Sequence, residues 1–252
     1  MSIDIAKAKK VFLDYTDNYD KANPRILLKV NHILRVSALS KKIATELGLS
    51  KEEIELAELI GLLHDIGRFE QIKRYNTFID RDSINHGEFG AKILFEDGLI
   101  KDFLDTREYD KTIEKAIVNH NRAEIEPNLD ERTLLQCKII RDSDKTDIYY
   151  TLLTDTIENT YETKDFKGMK ISKEMEEDFF KYHNINYAHR KSPLDTAVCH
   201  LAYIFDYNFE CSKDIVRKNK YIEKLIENLE IEDDATNQTL QKMYEEIKNN
   251  YL

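Results

Sequence analysis

The sequence predicts an all-α fold. Only 7 Gly and 3 Pro interrupt the 252 residues, apolar residues recur at helical spacing through most of the chain, and capping residues precede the amphipathic runs. Stretches that alternate with strand period are short and unconvincing. A first helix is expected within residues 1–24. Asn23 before Pro24 opens the next, whose stripe Leu28, His32, Val36, Leu39 and Ile43 advances by three or four residues. Ser50 with Glu53 forms a capping box ahead of the apolar run from Ile54 to Leu63. Ile113, Ala116, Ile117 and His120 mark a further helix, and Asp147-Ile148-Tyr149-Tyr150 continues one that begins near Leu134. Ser192, Pro193 and Asp195 cap another, and Leu240, Met243, Tyr244, Ile247 and Tyr251 form the last stripe. Glu70 to Asp82 and the lysine-rich Glu158 to Ser192 are the least periodic stretches, expected as loops, a lid or an insertion. With no internal repeat and no Pro/Gly/Ser linker, one compact unit is the expectation.

Composition removes several classes of function. Asp plus Glu number 48 against 38 Lys plus Arg, and the resulting charge of −10 has the wrong sign for coating a nucleic-acid backbone. No long nucleic acid is expected as a partner, and any phosphate must be held locally. The start Met1-Ser2-Ile3-Asp4-Ile5 runs into lysines and acidic residues instead of the apolar core of an export signal, so a cytoplasmic location is expected. The longest apolar run, Ile54 to Leu63, is broken by Glu55 and Glu58 and falls short of the roughly 20 residues a membrane span needs. Cys137, Cys199 and Cys211 are odd in number and far apart, which excludes a disulfide framework or a CxxC metal pair and suits reduced, mostly buried thiols.

The informative anomaly is that histidines interrupt stripes which should be apolar. His32 lies one turn from both Leu28 and Val36, His64 follows Ala57 and Ile60, and His120 closes the stripe from Ile113. His86 stands one turn before Gly90, where the missing side chain lets another group come close. Asp144 continues the stripe of Cys137 and Ile140, so a carboxylate is carried inward, as is Asp65 beside His64. Ionised carboxylates in an apolar interior cost several kcal/mol unless paired, and buried imidazoles are poor cations at neutral pH. A divalent metal answers both problems. Any one of these histidines is more often a hydrogen-bonded core residue than a ligand, but His32, His64, Asp65, His86, His120 and Asp144 together argue for convergence on ions. His183 and His200 are read as structural, and His189-Arg190-Lys191 as a solvated basic cluster, with reach to a substrate as the alternative reading.

Leu62-Leu63-His64-Asp65-Ile66-Gly67-Arg68 resembles the defining motif of the HD-domain superfamily of metal-dependent phosphohydrolases. The pair alone is a weak signal. Its context is stronger: Asn31-His32-Ile33-Leu34-Arg35-Val36 upstream and Arg141-Asp142-Ser143-Asp144-Lys145-Thr146-Asp147 downstream match the family order of H, HD and D. His86-Gly87-Glu88-Phe89-Gly90 and Val118-Asn119-His120-Asn121 make the chain similar to the subset with two metals. The resemblance implies a compact multi-helix HD-domain bundle over residues 25–150, with residues 151–252 as a helical extension packed on it or serving as a lid. It implies one ion held by His32, His64, Asp65 and Asp144, and a second held by His86 and His120 with Asp65 bridging. Asp142 and Asp144 both suit the last position. Asp144 is preferred for its spacing to Asp147 and because Asp142 rotates away from Ile140. The GYP signature of cyclic-di-GMP phosphodiesterases is absent, and Phe69 and Glu70 stand where alarmone hydrolases carry a glutamate-aspartate pair.

The implied activity is hydrolysis of a phosphate ester or anhydride of a small substrate, such as a nucleotide, by water activated between two divalent ions. Fe, Mn, Co, Ni and Zn all suit mixed imidazole and carboxylate ligands. Asp65, Arg68, Lys145 and Asp147 are the expected catalytic residues, with Arg68, Arg122 and Lys145 contacting the phosphate. Asp147, one turn beyond Asp144, suits orientation of the water or of a ligand histidine. Two alternatives stay open at this point: a dinuclear iron oxygenase of the HD type, and a non-catalytic nucleotide-binding or sensor module. The amphipathic C-terminal helices leave a homodimer open as well.

Overall fold

The structure, a computed structural model, describes residues 3–252, so the first two residues of the start read for an export signal lie outside it. Helices account for all regular secondary structure among the described residues, and no strand occurs there. No helix among them is long and apolar enough to cross a membrane. The fold is all-α, as the spacing of apolar residues implies.

The chain forms two compact units, one ending at Asp147 and the other running from Ile148 to Leu252. In the first unit the order is α1 (Ile5–Thr16), α2 (Pro24–Glu46), α3 (Lys51–Leu63), α4 (Gly67–Tyr75), α5 (His86–Ala91), α6 (Ile100–Phe103), α7 (Asp110–His120) and α8 (Glu131–Thr154), whose last residues belong to the second. The expected caps are in place: Asn23 accepts from the Arg25 amide with Pro24 in the first turn, and the Ser50 hydroxyl accepts from the Glu53 amide. Asp130 accepts from the Thr133 amide at the start of α8. Phe12, Ile33, Val36, Leu59, Ile60, Leu63, Phe69, Ile113, Ile117 and Ile140 fill the core from six of these helices. Each such side chain contributes about 1.5–3 kcal/mol when fully buried. Phe69 sits at the centre of an aromatic group, with the rings of Phe12, Tyr15 and Tyr19 at 6.0, 6.0 and 5.4 Å.

The expectation of a loop over Glu70 to Asp82 is corrected in part. Helix α4 continues to Tyr75 because Phe69 and Ile72 bury one short face, and it ends where Asn76 takes a left-handed conformation. Irregular chain with one 3-10 turn, Asp80–Asp82, follows.

Two glycines let these helices approach closely enough to assemble the site. A Cβ on Gly67 would stand 2.5 Å from the His86 carbonyl oxygen and 2.7 Å from the Gly90 nitrogen. One on Gly87 would stand 2.8 Å from Asn121 Oδ1 and 2.9 Å from the Ile117 carbonyl oxygen. The first contact seats α5 against the turn after Asp65, and the second seats it against the end of α7.

The second unit contains α9 (Ile157–Tyr161), α10 (Lys173–Glu177), α11 (Pro193–Leu201), α12 (Glu210–Asn219), α13 (Tyr221–Asn228) and α14 (Asp234–Asn250). Its core is built from Tyr149, Phe166, Met175, Phe179, Leu194, Val198, Val216, Ile222, Leu240, Met243 and Ile247. The aperiodic Glu158 to Ser192 holds only short helical turns and is anchored by Asp195, which accepts from the Ser172 and Lys191 amides. All three cysteines are free thiols, with Cys137 and Cys199 buried.

Candidate metal centre

Five helices and one turn bring the predicted side chains together. His32 projects from α2, His64 caps α3, Asp65 follows it, His86 begins α5, His120 ends α7 and Asp144 projects from α8. All except Asp144 are buried, and the Asp144 side chain is 16% exposed.

The two oxygens of Asp65 face different imidazoles. Oδ2 lies 3.7 Å from both His32 Nε2 and His64 Nε2, whereas Oδ1 lies 3.3 Å from His86 Nε2 and 3.7 Å from His120 Nε2. Asp144 Oδ1 completes the first half, 3.1 Å from His32 Nε2 and 3.6 Å from His64 Nε2. Metal bonds of about 2.0–2.2 Å to nitrogen and oxygen put adjacent donors roughly 3–3.5 Å apart, close to these separations.

Each imidazole is held by its other nitrogen. His64 Nδ1 donates to the Gly61 carbonyl at 2.9 Å and His120 Nδ1 donates to the Ile117 carbonyl at 2.6 Å. Carbonyl acceptors fix the tautomer and turn both Nε2 lone pairs inward. His32 Nδ1 meets Asp147 Oδ2 at 2.7 Å, and His86 Nδ1 meets Asp80 Oδ2 at 2.7 Å. His32 Nε2, His64 Nε2 and Asp65 Oδ1 are buried without a hydrogen-bond partner. Leaving such atoms unsatisfied costs about 1–3 kcal/mol each, and cations in the two halves of the cluster would satisfy them. The donor set therefore fits divalent metal: His32, His64 and Asp144 form one group and His64, Asp65 and His120 another, each with its ligand atoms within 4.8 Å.

The electrostatics agree. Burial alone would raise the Asp65 carboxyl, but Lys29 and His64 hold it well below the ordinary carboxylate range. Asp144 is held low in the same way, against burial, by the adjacent His32 and His64 rings. Burial, helped by the nearby Arg68 charge, pushes His86 down to about 3, so its ring is neutral at physiological pH. His32 rises despite burial and Lys29, because Asp144 and Asp147 favour its protonated form.

Asp144 reaches the ring nitrogens, while Asp142 lies fully buried on the same helix. Asp147 braces His32 and forms a double hydrogen bond with Arg35, at 2.6 and 2.9 Å. Arg68 faces both the centre and its own surroundings: Nε lies 3.5 Å from Asp65 Oδ1, and Nη1 donates to Gln71 Oε1 at 2.7 Å, the Phe78 carbonyl at 2.6 Å and Asp80 Oδ1 at 3.0 Å. Arg122 pairs with Glu126 and Glu88 at 3.1 and 3.2 Å, and Lys145 is partly exposed beside Asp144. In the second unit, His189 bonds Asp178 at 2.8 Å, and His200 packs against Tyr161 and Tyr203.

Sequence reasoning missed Lys29, Arg35 and Asp80. Lys29 Nζ lies 2.7 Å from Asp65 Oδ2, with its stem largely buried and its ammonium 5.6 Å from the Phe78 ring centroid. Lys29 and Arg35 stand three residues before and after His32, a spacing that puts all three near one helical face and could have flagged them.

The HD domain family model matches residues 30–149. No curated protein and no solved structure matches the chain. Histidine and aspartate side chains in the order H, HD, H, H, D, gathered in a helical bundle, and a family match over that same stretch lead to one conclusion: residues 30–149 match the HD domain family, and the cluster they carry is compatible with it.

Proposed function

We propose that the protein is a metal-dependent phosphohydrolase that uses two divalent ions to cleave a phosphate ester or anhydride of a small substrate, a nucleotide being the leading class. The observation that carries this reading is the split of Asp65, whose Oδ2 faces His32 and His64 while Oδ1 faces His86 and His120. A closed structural site needs four ligands and one ion, and the additional imidazole pair goes beyond that requirement. Ions bound there supply Lewis acidity, lowering the pKa of water and offsetting charge on phosphoryl oxygens.

The chain's own groups do the rest. Asp65 and Asp144 supply the negative charge that retains the cations, and the four Nδ1 hydrogen bonds keep every Nε2 lone pair aimed inward. Lys29 brings a fixed positive charge beside Asp65, where it can meet a phosphoryl oxygen, and Lys145 and Arg122 extend positive charge from α8 and the end of α7. The overall charge of −10 favours a compact ligand bound at these few cations over a long polyanion.

The test joins metal analysis of gently purified protein to a phosphate-release screen over nucleotides and simple phosphate esters, with Mn, Fe or Co restored. Wild type should release phosphate, and Asp65→Ala should lose at least about a hundredfold in rate while remaining folded. Protein that retains two ions yet releases no phosphate across the screen overturns the reading. Dioxygen consumption in that protein would point to oxygenase chemistry, and ligand binding without turnover to a sensor.

A further inference from the structure

Of the four inward imidazoles, three are braced from helices. Gly61 and Ile117 belong to the same helices as His64 and His120, and Asp147 lies on the long α8. His86 alone of the four takes its brace from the segment connecting α4 and α5, at the start of the short 3-10 turn Asp80–Asp82.

We propose that Asp80 is the positioning residue that sets occupancy of the second ion, and that Arg68, whose Nε lies 3.5 Å from Asp65 Oδ1, acts through Asp80 and Asp65 rather than on the substrate; this rests on the two-ion reading above. Asp80 Oδ2 meets His86 Nδ1 at 2.7 Å and accepts from Asn121 Nδ2 at 3.2 Å, next to the ligand His120. Its Oδ1 accepts from Arg68 Nη1 and Gln71 Nε2, both at 3.0 Å. Those two α4 side chains fasten the segment at further points. Arg68 donates to the Phe78 carbonyl at 2.6 Å, and Gln71 donates to Ser83 Oγ at 2.9 Å and the Ile84 carbonyl at 3.0 Å.

The segment is thereby pinned to α4, and through Asp80 it fixes the rotation of His86. Without that carboxylate, Asn121 Nδ2 at 3.2 Å is the remaining polar neighbour of His86 Nδ1, and the ring is freer to turn its Nε2 away from His120 and Asp65 Oδ1. Among the described residues, the hydrogen bonds of the Asp80 carboxylate go to Arg68, Gln71, His86 and Asn121, whereas the other half of the centre is held by Asp147 and the Gly61 carbonyl. The effect should therefore fall on one ion. Carboxylates behind ligating histidines typically change metal affinity about 10–100-fold.

The experiment measures ions per chain by elemental analysis, and titrates each ion with Co(II) by visible absorption, in wild type, Asp80→Ala, Asp80→Asn, Arg68→Met and Asp147→Ala. Wild type should hold two ions. Asp80→Ala should keep one at unchanged affinity and bind the other about 10–100-fold more weakly. Asp80→Asn, equal in size, should weaken the same ion by less and covers the case in which the alanine variant does not fold. Arg68→Met should act on the same ion, and Asp147→Ala on the opposite one. Both ions held at wild-type affinity by the Asp80 variants overturns Asp80's role. Arg68→Met that binds both ions normally but raises KM for a phosphorylated substrate overturns Arg68's. Wild type that never takes up more than one ion refutes the two-ion reading itself, an outcome visible without any variant.

Discussion

His86 Nε2 and His120 Nε2 face each other at 3.0 Å, while the Nδ1 atoms point outward to the Asp80 carboxylate and the Ile117 carbonyl. Both outward nitrogens donate their hydrogens, so two lone pairs confront one another. Burial pushes His86 down to about 3, so its ring is neutral at neutral pH. A cation ligated by both rings would turn this repulsion into two bonds.

Chelation should therefore lower stability measurably. A ligand at a hundred times its Kd stabilises the native state by about 2.7 kcal/mol, which corresponds to several degrees in Tm for one ion. Thermal unfolding after treatment with EDTA, and again after Mn is restored, is the measurement. A reversible drop of this size is expected, and identical curves would count against ligation by these residues.

Gly67→Ala should couple packing to the centre. The new Cβ would meet the backbone of His86 and Gly90 at 2.5 and 2.7 Å, and backbone cannot swing aside as a flexible side chain can. Overpacking of this kind costs about 1–3 kcal/mol. Because the displaced atoms carry His86, ion content should fall along with Tm. A variant with lower Tm but full ion content would show that α5 moves without disturbing its histidine.

Much of this was legible from sequence because it rests on periodicity. His32 and Asp144 lie on stripes whose other members are Val36 and Ile140, and a buried stripe fixes the direction of every residue on it. Asp80 was not legible for the opposite reason: it opens a three-residue 3-10 turn in the connection after Asn76, too short for any spacing to say which way a side chain points. The boundary between the two units was hidden as well. It falls at Asp147 and Ile148, inside α8, so no Pro, Gly or Ser marks it. Arg68 shows a third limit, since a motif gives a residue's position but not that Gln71, Phe78 and Asp80 all take its Nη1.

His200 should give the second unit a pH-dependent stability that is independent of the metal ligands. Burial, with a contribution from Arg190, pushes it down to about 4 from 6.5, and its ring packs 5.4 and 5.3 Å from those of Tyr161 and Tyr203. The folded form thus resists protonation while the unfolded chain accepts it. Stability is full above pH 6.5, declines as the pH falls towards about 4, and is constant below with respect to this group. The loss is at most about 3 kcal/mol, and less to the extent that solvent reaches the ring. Urea unfolding of wild type and His200→Phe between these pH values isolates it. The difference between the two should shrink with falling pH, and parallel curves would refute the assignment.

Lys29→Met tests the cation that the sequence did not announce. Methionine keeps much of the stem's bulk against Phe78 but removes the ammonium 2.7 Å from Asp65 Oδ2. If that charge meets a phosphoryl oxygen, its loss removes a charge-assisted hydrogen bond worth about 1.5–3 kcal/mol, or roughly 10–100-fold in kcat/KM. A larger share in KM would mean that the contact already exists in the bound ground state, and a larger share in kcat that it strengthens as charge develops. Lys29→Arg should recover part of the loss, since it restores the charge with altered geometry. Ion content must be measured alongside, because the ammonium also helps hold Asp65 ionised. Unchanged ions with unchanged kcat/KM would assign Lys29 to the support of Asp65 and leave phosphate recognition to Lys145 and Arg122.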